Sequence, residues 1–262
     1  MAIFSLIRIA FIFFKHRLDE LIDPFANKLL LLILFFFPKI FFRKRNDLEH
    51  RLSDALEEMG PLFIKFGQLL STRPDLVGNK QADVLKRFQN NLKPFSSKKA
   101  IKIVEQDLET PISEIFDSFS EEPLAAASIA QVHEAILKNG ETVVVKIVRP
   151  GLAKRISTDV NSIKFLGGVA ELILSDARRL KLMDLIREYE LVITAETDLK
   201  KEAANAIQTK NFFKGNSLLY IPKVYEDFSS TKVMTMERIS GIPVTDMDVF
   251  KKENINLKDL AE

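Results

Sequence analysis

The sequence predicts an α+β fold in which an antiparallel sheet and its helices follow a helical amino-terminal extension. The clearest strand signal is residues 129–148, where two runs of β-branched and apolar residues flank Asn139-Gly140, a pair typical of hairpin turns. Apolar residues spaced three or four apart across residues 47–71 predict helix. Strand-like runs within 220–239 would extend the sheet beyond the hairpin.

Length, charge and cysteine content limit the class of protein. A chain of 262 residues can bury the core of one large domain or of a domain with an extension. Its 38 basic and 36 acidic residues give a net charge of +2, which makes no general case for nucleic-acid binding. The absence of cysteine excludes disulfides, thiolate metal sites and a catalytic thiol.

The first 45 residues differ from the rest of the chain in charge and hydrophobicity. Their basic residues outnumber their acidic ones, and phenylalanine is concentrated in residues 10–14 and 29–42. The apolar run at 29–37 is too short to span a bilayer, which takes about 20 residues. We interpret residues 1–45 as a hydrophobic, basic, membrane-proximal segment that meets anionic headgroups. The alternative is a hydrophobic helix packed on the body of the protein.

Residues 46–112 are predicted to form a helical extension. The helical pattern across 47–71 should bend or restart at Gly60-Pro61, because proline disrupts a continuing helix. Further helices are predicted at 83–88, 97–108, 159–174 and 183–206.

Within the extension, Lys65 and Gln68 lie three residues apart and therefore share a helix face. Gly67 beside them would let another element approach closely. The alternative is an ordinary amphipathic helix with two solvated polar residues.

The second strand of the predicted hairpin carries one cation, Lys146, among valines. Because this lysine loses hydration on folding, we expect an anionic partner, either a nucleotide phosphate or an internal carboxylate. In protein kinases a loop of small residues covers the phosphates, and a third-strand lysine meets both phosphates and a helix carboxylate. The alternatives are an alanine-rich turn that serves packing and a lysine that points to solvent.

A cluster of carboxylates follows in the predicted helix 183–206. Asp198 and Glu202 lie four residues apart and should share a helix face, whereas Glu196 should point elsewhere. The alternative is a solvated acidic face of a helix.

With these residues the chain resembles the atypical, protein-kinase-like family linked to ubiquinone biosynthesis. Four of the family's motifs occur in order: IKFGQ, with the K-x-G-Q signature; LAAASIAQVH, an alanine-rich loop; VVVKIVRPG, the lysine strand; and ETDLKKEAANA, with the E-x-D signature and a helix glutamate. The signature residues are Lys65, Gly67, Gln68, Lys146, Glu196, Asp198 and Glu202. The resemblance extends from about residue 18 to residue 262.

The resemblance implies ATP or ADP as cofactor, with Mg²⁺. The residues that would wrap its phosphates are Leu124, Ala125, Ala126, Ala127, Ser128, Ile129, Ala130, Gln131 and Val132. Lys146 would bind the α and β phosphates, held by Glu202. The backbone at Glu237 and Ile239 would meet adenine, with Met236 behind it.

The resemblance also implies that Lys65 and Gln68 cover the cleft, with Lys65 near Glu196 and Asp198. That arrangement disfavours protein phosphorylation. The implied partners are nucleotide, membrane lipids or ubiquinone precursors, and other proteins of ubiquinone biosynthesis. The implied location is the cytoplasmic face of the cell inner membrane.

One departure from the family limits the predicted activity. A kinase-like site needs a catalytic aspartate and metal ligands from the larger lobe, and no H-x-D-x-H-P-G-N or D-F-G-like stretch occurs in residues 1–262. We therefore expect an amino-terminal part with a kinase-like small lobe at 113–240, the start of the large lobe at 241–262 and no activity alone. The rival functions are a non-enzymatic membrane- or lipid-binding module and a protein kinase acting in trans.

Overall fold

The fold is a four-stranded antiparallel sheet with helices on both faces, in the strand order β1-β2-β3-β4. This computed structural model describes residues 2–18, 47–86, 94–173, 178–216 and 219–242, together with Lys252. The strands are β1 (Phe116–Ala126), β2 (Ala130–Leu137), β3 (Thr142–Val148) and β4 (Val233–Glu237). The predicted α+β class is confirmed.

The helices surround the sheet and build the amino-terminal extension. Those within the described ranges are α1 (Ala2–Lys15), α2 (Leu48–Met59), α3 (Pro61–Ser71), α4 (Pro74–Val77), α5 (Asn79–Lys86), α6 (Ser97–Leu108), α7 (Ile112–Ile115), α8 (Leu152–Ile173), α9 (Leu182–Ala195) and α10 (Leu199–Phe212). A 3₁₀ turn, Glu226–Phe228, precedes β4.

The predicted hairpin is confirmed. Strands β2 and β3 pair in register across the Asn139-Gly140 turn, where Gly140 has a φ of +85° that favours glycine. The register places Val132 opposite Lys146. On the other side of β3, Lys146 lies opposite Met234 of β4. Because side chains alternate between the two faces of a sheet, every second residue of β3 lies on the same face as Lys146.

The opposite face of the sheet is a closed hydrophobic core. Val143, Val145 and Ile147 are fully buried there and pack with Ala100 and Val104 of α6. The helix α6 is also tied to the turn that precedes β4, through its residue Asp107. The carboxylate of Asp107 accepts hydrogen bonds from the Ser230 hydroxyl and from the backbone N–H of Lys232, the latter at 2.8 Å.

The second core joins the helical extension to the sheet face that carries Lys146. Its buried side chains come from α1, α2, α3, α8 and α9, and it reaches Leu199 and Ala203 of α10 and Met234 of β4. This core fixes the position of α10 relative to β3.

The predicted break in the extension is confirmed. Helix α2 ends at Met59, Gly60 has a φ of +112°, and Pro61 stands at the first turn of α3. Proline is tolerated in that position because the first N–H groups of a helix have no intrahelical acceptor.

Two sequence predictions were wrong. The helix predicted over 183–206 is two helices, because α9 ends at Ala195 and α10 begins at Leu199. The strand-like run from residue 220 to residue 228 contains the 3₁₀ turn and contributes only an isolated bridge between Val224 and Met236 to the sheet in the described region.

Helix α1 packs on the body of the protein. Ile9 and Ile12 are buried, and the Arg8 guanidinium donates to the Met59 carbonyl at 2.9 Å. Ile7 and Phe11 remain 60% and 54% exposed. Among the helices in the described ranges, none has both the length and the apolar character that crossing a bilayer requires. The apolar run at 29–37 lies outside the described residues.

Candidate functional site

The candidate site is centred on an ion pair between the sheet and α10. The Lys146 ammonium lies 2.6 Å from Oε1 and 2.8 Å from Oε2 of Glu202. The two side chains are 27% and 40% exposed, so the pair is sheltered but open to a ligand. Of the two partners expected for the lysine, this protein supplies the internal carboxylate.

The start of α10 is fastened to the turn that precedes β4, and this places Glu202. The backbone N–H of Leu199 donates to the Thr231 carbonyl at 2.9 Å. Leu199 is fully buried and Ala203 nearly so, in the core that includes Met234. Because Glu202 lies one turn into this anchored helix, its carboxylate is held against β3.

The two acidic residues of the E-x-D signature lie at the ends of two different helices. Glu196 is the residue after α9, and Asp198 is the N-cap of α10, where its side chain accepts from the Lys201 N–H. Asp198 therefore caps the helix on which Glu202 lies one turn further along, rather than standing inside one continuous helix. Capping by aspartate is favourable because the first N–H groups of a helix need acceptors.

Lys65 connects the extension to this junction. Its ammonium lies 3.0 Å from Oε1 of Glu196, whereas Asp198 pairs with Lys201 at 3.5 Å. A second link is buried: the Tyr189 hydroxyl of α9 donates to the Leu62 carbonyl of α3 at 2.6 Å. Helix α3 is thus tied to the segment that carries Glu196 and leads into α10.

Gly67 permits close packing within the extension. A Cβ at this position would lie 3.1 Å from Cδ1 of Leu56 on α2 and 3.2 Å from Cδ2 of Leu85 on α5. The prediction that Gly67 allows close approach is confirmed, and the neighbours belong to the extension itself. Gln68 is half-buried, and its carbonyl accepts from the Ser71 hydroxyl at 2.6 Å.

The alanine-rich segment is a tight hairpin between β1 and β2. Leu124, Ala125 and Ala126 end β1, and Ala130, Gln131 and Val132 begin β2. The intervening turn consists of Ala127, Ser128 and Ile129. The Ala127 N–H donates to the Ala130 carbonyl at 2.8 Å, which closes the turn. Leu124 and Ala125 are exposed, whereas Ser128 is buried.

Arg149, which the motif analysis did not single out, fastens this turn. Its backbone N–H donates to the Ile129 carbonyl at 2.8 Å, and its Nε donates to the Ala127 carbonyl at 2.9 Å. Burial lowers the pKa of its guanidinium. The available signal was an arginine directly after the lysine strand.

Gln131 occupies the face opposite to Lys146. Its side chain is fully buried; Oε1 accepts from the Phe95 N–H at 3.0 Å, and Nε2 donates to the Phe95 carbonyl at 3.2 Å. The side chain therefore supports the back of the hairpin, and only the backbone of Gln131 is left for the predicted phosphate contact.

His133 continues this buried network. Its Nε2 lies 2.7 Å from Nε2 of Gln131, and its Nδ1 lies 2.8 Å from the Ser120 carbonyl. Each contact is satisfied when Gln131 donates to a neutral His133 that donates from Nδ1. Burial lowers the pKa of His133, against the opposing effect of the Ser120 hydrogen bond, and so favours the neutral ring.

Beside Lys146 the same face of the sheet carries a half-exposed apolar strip of Val132, Val144 and Met236. Such a strip can stack against a flat aromatic ring. Val144 was missed as a site residue, although alternation along β3 places it on the face of Lys146. At the end of the strip, the Glu237 N–H donates to the Lys223 carbonyl at 2.8 Å, and Ile239 is 44% exposed.

The residues present fit a nucleotide better than they fit a metal. The Lys146 cation and the hairpin of small residues suit phosphates, and the apolar strip suits a purine. Within the described ranges, no group of three or more His, Asp and Glu side chains could hold a metal ion.

The sheet is antiparallel, and the lysine on its third strand pairs with a helix glutamate beside a hairpin of small residues. This arrangement defines the small lobe of a kinase-like protein. Residues 87–262 match the ABC1 atypical kinase-like domain. The chain belongs to this family.

Curated relatives are similar along the whole chain. A protein of Pseudomonas fluorescens named Probable protein kinase UbiB is 45% identical over 266 residues, which cover 100% of this chain and 50% of the relative. A protein of the same name from Cellvibrio japonicus is 42% identical over 265 residues and is covered over 47% of its length. The chain thus spans about half the length of these relatives.

A solved structure shares the fold. It is the complex of Rv3197 with erythromycin, from Mycobacterium tuberculosis, with a TM-score of 0.51 and 29% sequence identity. The similarity covers 76% of this chain and 50% of the other.

Proposed function

We propose that this chain is the nucleotide-binding part of a UbiB-like atypical kinase or ATPase that supports ubiquinone biosynthesis. The observation that carries the proposal is the partly exposed Lys146–Glu202 ion pair, at 2.6 Å, beside the apolar strip of the sheet. Family membership and the similarity to UbiB proteins support the same role.

In this proposal, Lys146 binds the phosphates of ATP or ADP while Glu202 holds its ammonium in position. Charge-assisted hydrogen bonds from an ammonium to phosphate are stronger than neutral ones. The purine would lie on the strip of Val132, Val144 and Met236. The alanines of the β1–β2 hairpin leave room for phosphates, but they restrict the backbone more than the glycines of ordinary kinases do.

An ATPase fits the extension better than a protein kinase does. Helix α3 is held by the Lys65–Glu196 ion pair and by the buried Tyr189–Leu62 hydrogen bond. If α3 covers the cleft, as the family resemblance implies, admission of a protein substrate would require both contacts to break. A kinase that acts in trans is therefore the weaker proposal.

The proposal is tested by nucleotide affinity. We expect Lys146→Met to weaken ATP binding by about tenfold or more, the value of one charge-assisted contact. The matched control is Lys138→Met, because Lys138 lies just after β2 and its ion pair with Asp117 is long, at 3.7 Å. Calorimetry should rank the ATP affinities of wild type, Lys146→Met and Lys138→Met in the same order for this chain and for the longest protein that its gene encodes. Equal ATP binding by the two variants would refute the role of Lys146.

The ubiquinone role needs a separate readout. The longest product of the gene should restore ubiquinone levels in bacteria that lack UbiB, and its Lys146→Met variant should not. Restoration by the variant would dissociate the pathway role from nucleotide binding.

A membrane- or lipid-binding module is the second candidate, favoured by the exposed Ile7 and Phe11 of α1. We propose contact with lipids or ubiquinone precursors at the cytoplasmic face of the inner membrane, where other proteins of ubiquinone biosynthesis could be partners. The double variant Ile7→Ser, Phe11→Ser should float less with liposomes than the wild type. Deletion of residues 1–45 is the poorer test, because it would uncover the core around Ile9 and Ile12. Equal flotation of variant and wild type would refute the contact.

A further inference from the structure

A cleft of about 400 Å³, lined mainly by charged and polar residues, lies between α1 and the beginning of α8. It contains none of the residues of the Lys146 site. Its lining consists of Ser5, Arg8, Gly151, Lys154, Arg155, Thr158 and Asp159.

The cleft carries an excess of positive charge. Arg8 and Arg155 lie 3.9 Å and 3.5 Å from the two oxygens of Asp159, and their side chains are 40% and 46% exposed. Both guanidinium groups therefore keep accessible N–H donors beyond this contact. Lys154 is exposed and has no ion-pair partner within the part of the chain that the structure describes. Three cations and one carboxylate thus line the cleft.

The start of α8 adds to this charge. The helix is 22 residues long and begins at Leu152, directly after Gly151 in the cleft wall. The first N–H groups of a helix lack intrahelical acceptors and carry partial positive charge, which favours phosphate.

Asp159 is the independent sign of a ligand. Its side chain is only 4% exposed, yet Oδ2 accepts no hydrogen bond within the described residues. The other oxygen, Oδ1, accepts a long hydrogen bond from the Ser5 hydroxyl, at 3.5 Å. The Nε of Arg155 lies 3.5 Å from Oδ2, too far for a strong hydrogen bond, and a buried acceptor so weakly satisfied is unfavourable. Burial raises the pKa of Asp159, against the opposing effect of Arg155 and Arg8. A ligand that brings a hydroxyl or ammonium group would supply the donor.

We propose that this cleft binds a phosphate ester that also carries a hydroxyl or ammonium group. The phosphate lies against Lys154, Arg8, Arg155 and the start of α8, and the donor group hydrogen-bonds to Asp159. Glycerol phosphate has this chemistry, both as a free metabolite-sized ester and as the headgroup of phosphatidylglycerol.

The test compares these two sources on the whole chain without nucleotide. Calorimetric titrations use glycerol 3-phosphate and inorganic phosphate, and cosedimentation uses vesicles of phosphatidylglycerol or of phosphatidylcholine. We expect glycerol 3-phosphate to bind more tightly than inorganic phosphate, because only the ester offers hydroxyl donors to Asp159. Binding of the soluble ester identifies a free ligand, and binding of phosphatidylglycerol vesicles alone identifies a headgroup. Binding of neither would overturn the proposal.

Variants separate this cleft from general charge and from the nucleotide site. Lys154→Gln should weaken binding by about tenfold, as loss of one charge-assisted contact predicts. Lys102→Gln, at an exposed position on α6, should leave it unchanged. Loss of binding in Lys146→Met would instead assign the phosphate to the nucleotide site and overturn the proposal. Asp159→Asn should abolish the preference for glycerol 3-phosphate over inorganic phosphate. If Lys154→Gln and Lys102→Gln bind equally, the cleft is not the site.

Discussion

The buried side chain of Gln131 is predicted to stabilise the fold rather than to bind nucleotide. The substitution Gln131→Leu keeps the approximate size of the side chain but removes its polar amide. It breaks the two hydrogen bonds to the backbone of Phe95 and leaves Nε2 of His133 without its donor.

The magnitude follows from the burial of these groups. His133 is fully buried, so its unsatisfied Nε2 should cost about 1–3 kcal/mol. Phe95 is only half-buried, so water can partly replace its two lost bonds, each worth about 0.5–1.5 kcal/mol. Since leucine regains some hydrophobic burial, we expect a loss of about 2–4 kcal/mol in the free energy of unfolding.

Urea unfolding followed by circular dichroism measures this loss near neutral pH. The matched control is Gln106→Leu at an exposed position on α6, which should stay within about 0.5 kcal/mol of the wild type. At temperatures where both variants are folded, their ATP affinities should match that of the wild type. The reasoning is refuted if Gln131→Leu is no less stable than Gln106→Leu.

Three further predictions concern stability. Because burial lowers the pKa of His133 in the folded protein, the unfolded chain binds the proton more readily. The stability that neutral His133 contributes should therefore be lost as the pH falls below 6.5, the ordinary pKa of histidine. The urea midpoints of wild type and His133→Asn should differ above that pH and converge below it, and parallel profiles would contradict this. Gly67→Val should overpack against Leu56 and Leu85 and lower the free energy of unfolding by about 1–3 kcal/mol, measured with heat or urea. Gly67→Ala should be nearly neutral, because the higher helix propensity of alanine offsets its tighter contact. Equal stability of the two variants would count against close packing. Burial alone would raise the pKa of Asp107, but the hydrogen bonds that its carboxylate accepts lower that pKa overall. The stability that Asp107 contributes is therefore present above 3.8, the ordinary pKa of aspartate, and is lost as the pH falls below it. Asp107→Asn should lower the free energy of unfolding by about 1–2 kcal/mol near pH 7 and have little effect in acid, and an equal loss at both pH values would argue otherwise.

Local sequence signals predicted the helices and strands near the site, but they did not predict every helix boundary. The Asn139-Gly140 hairpin and the restart at Gly60-Pro61 depend on turn and proline chemistry, which acts over a few residues. The helix break at Glu196 to Asp198 was missed because no proline or glycine marks it. There the capping carboxylate of Asp198 and the contact of Leu199 with Thr231 end one helix and start the next.

The sequence by itself determined the α+β class, the strand that carries Lys146 and the family motifs, because composition, alternation and turn residues act along the chain. Only the tertiary structure decided which carboxylate meets Lys146 and that Lys65 pairs with Glu196. It also assigned Gln131 to the closed face of the sheet and gathered Arg8 and Asp159 into one cleft. These contacts join residues far apart in sequence, and they depend on how helices dock through their buried faces, which spacing along one segment does not specify.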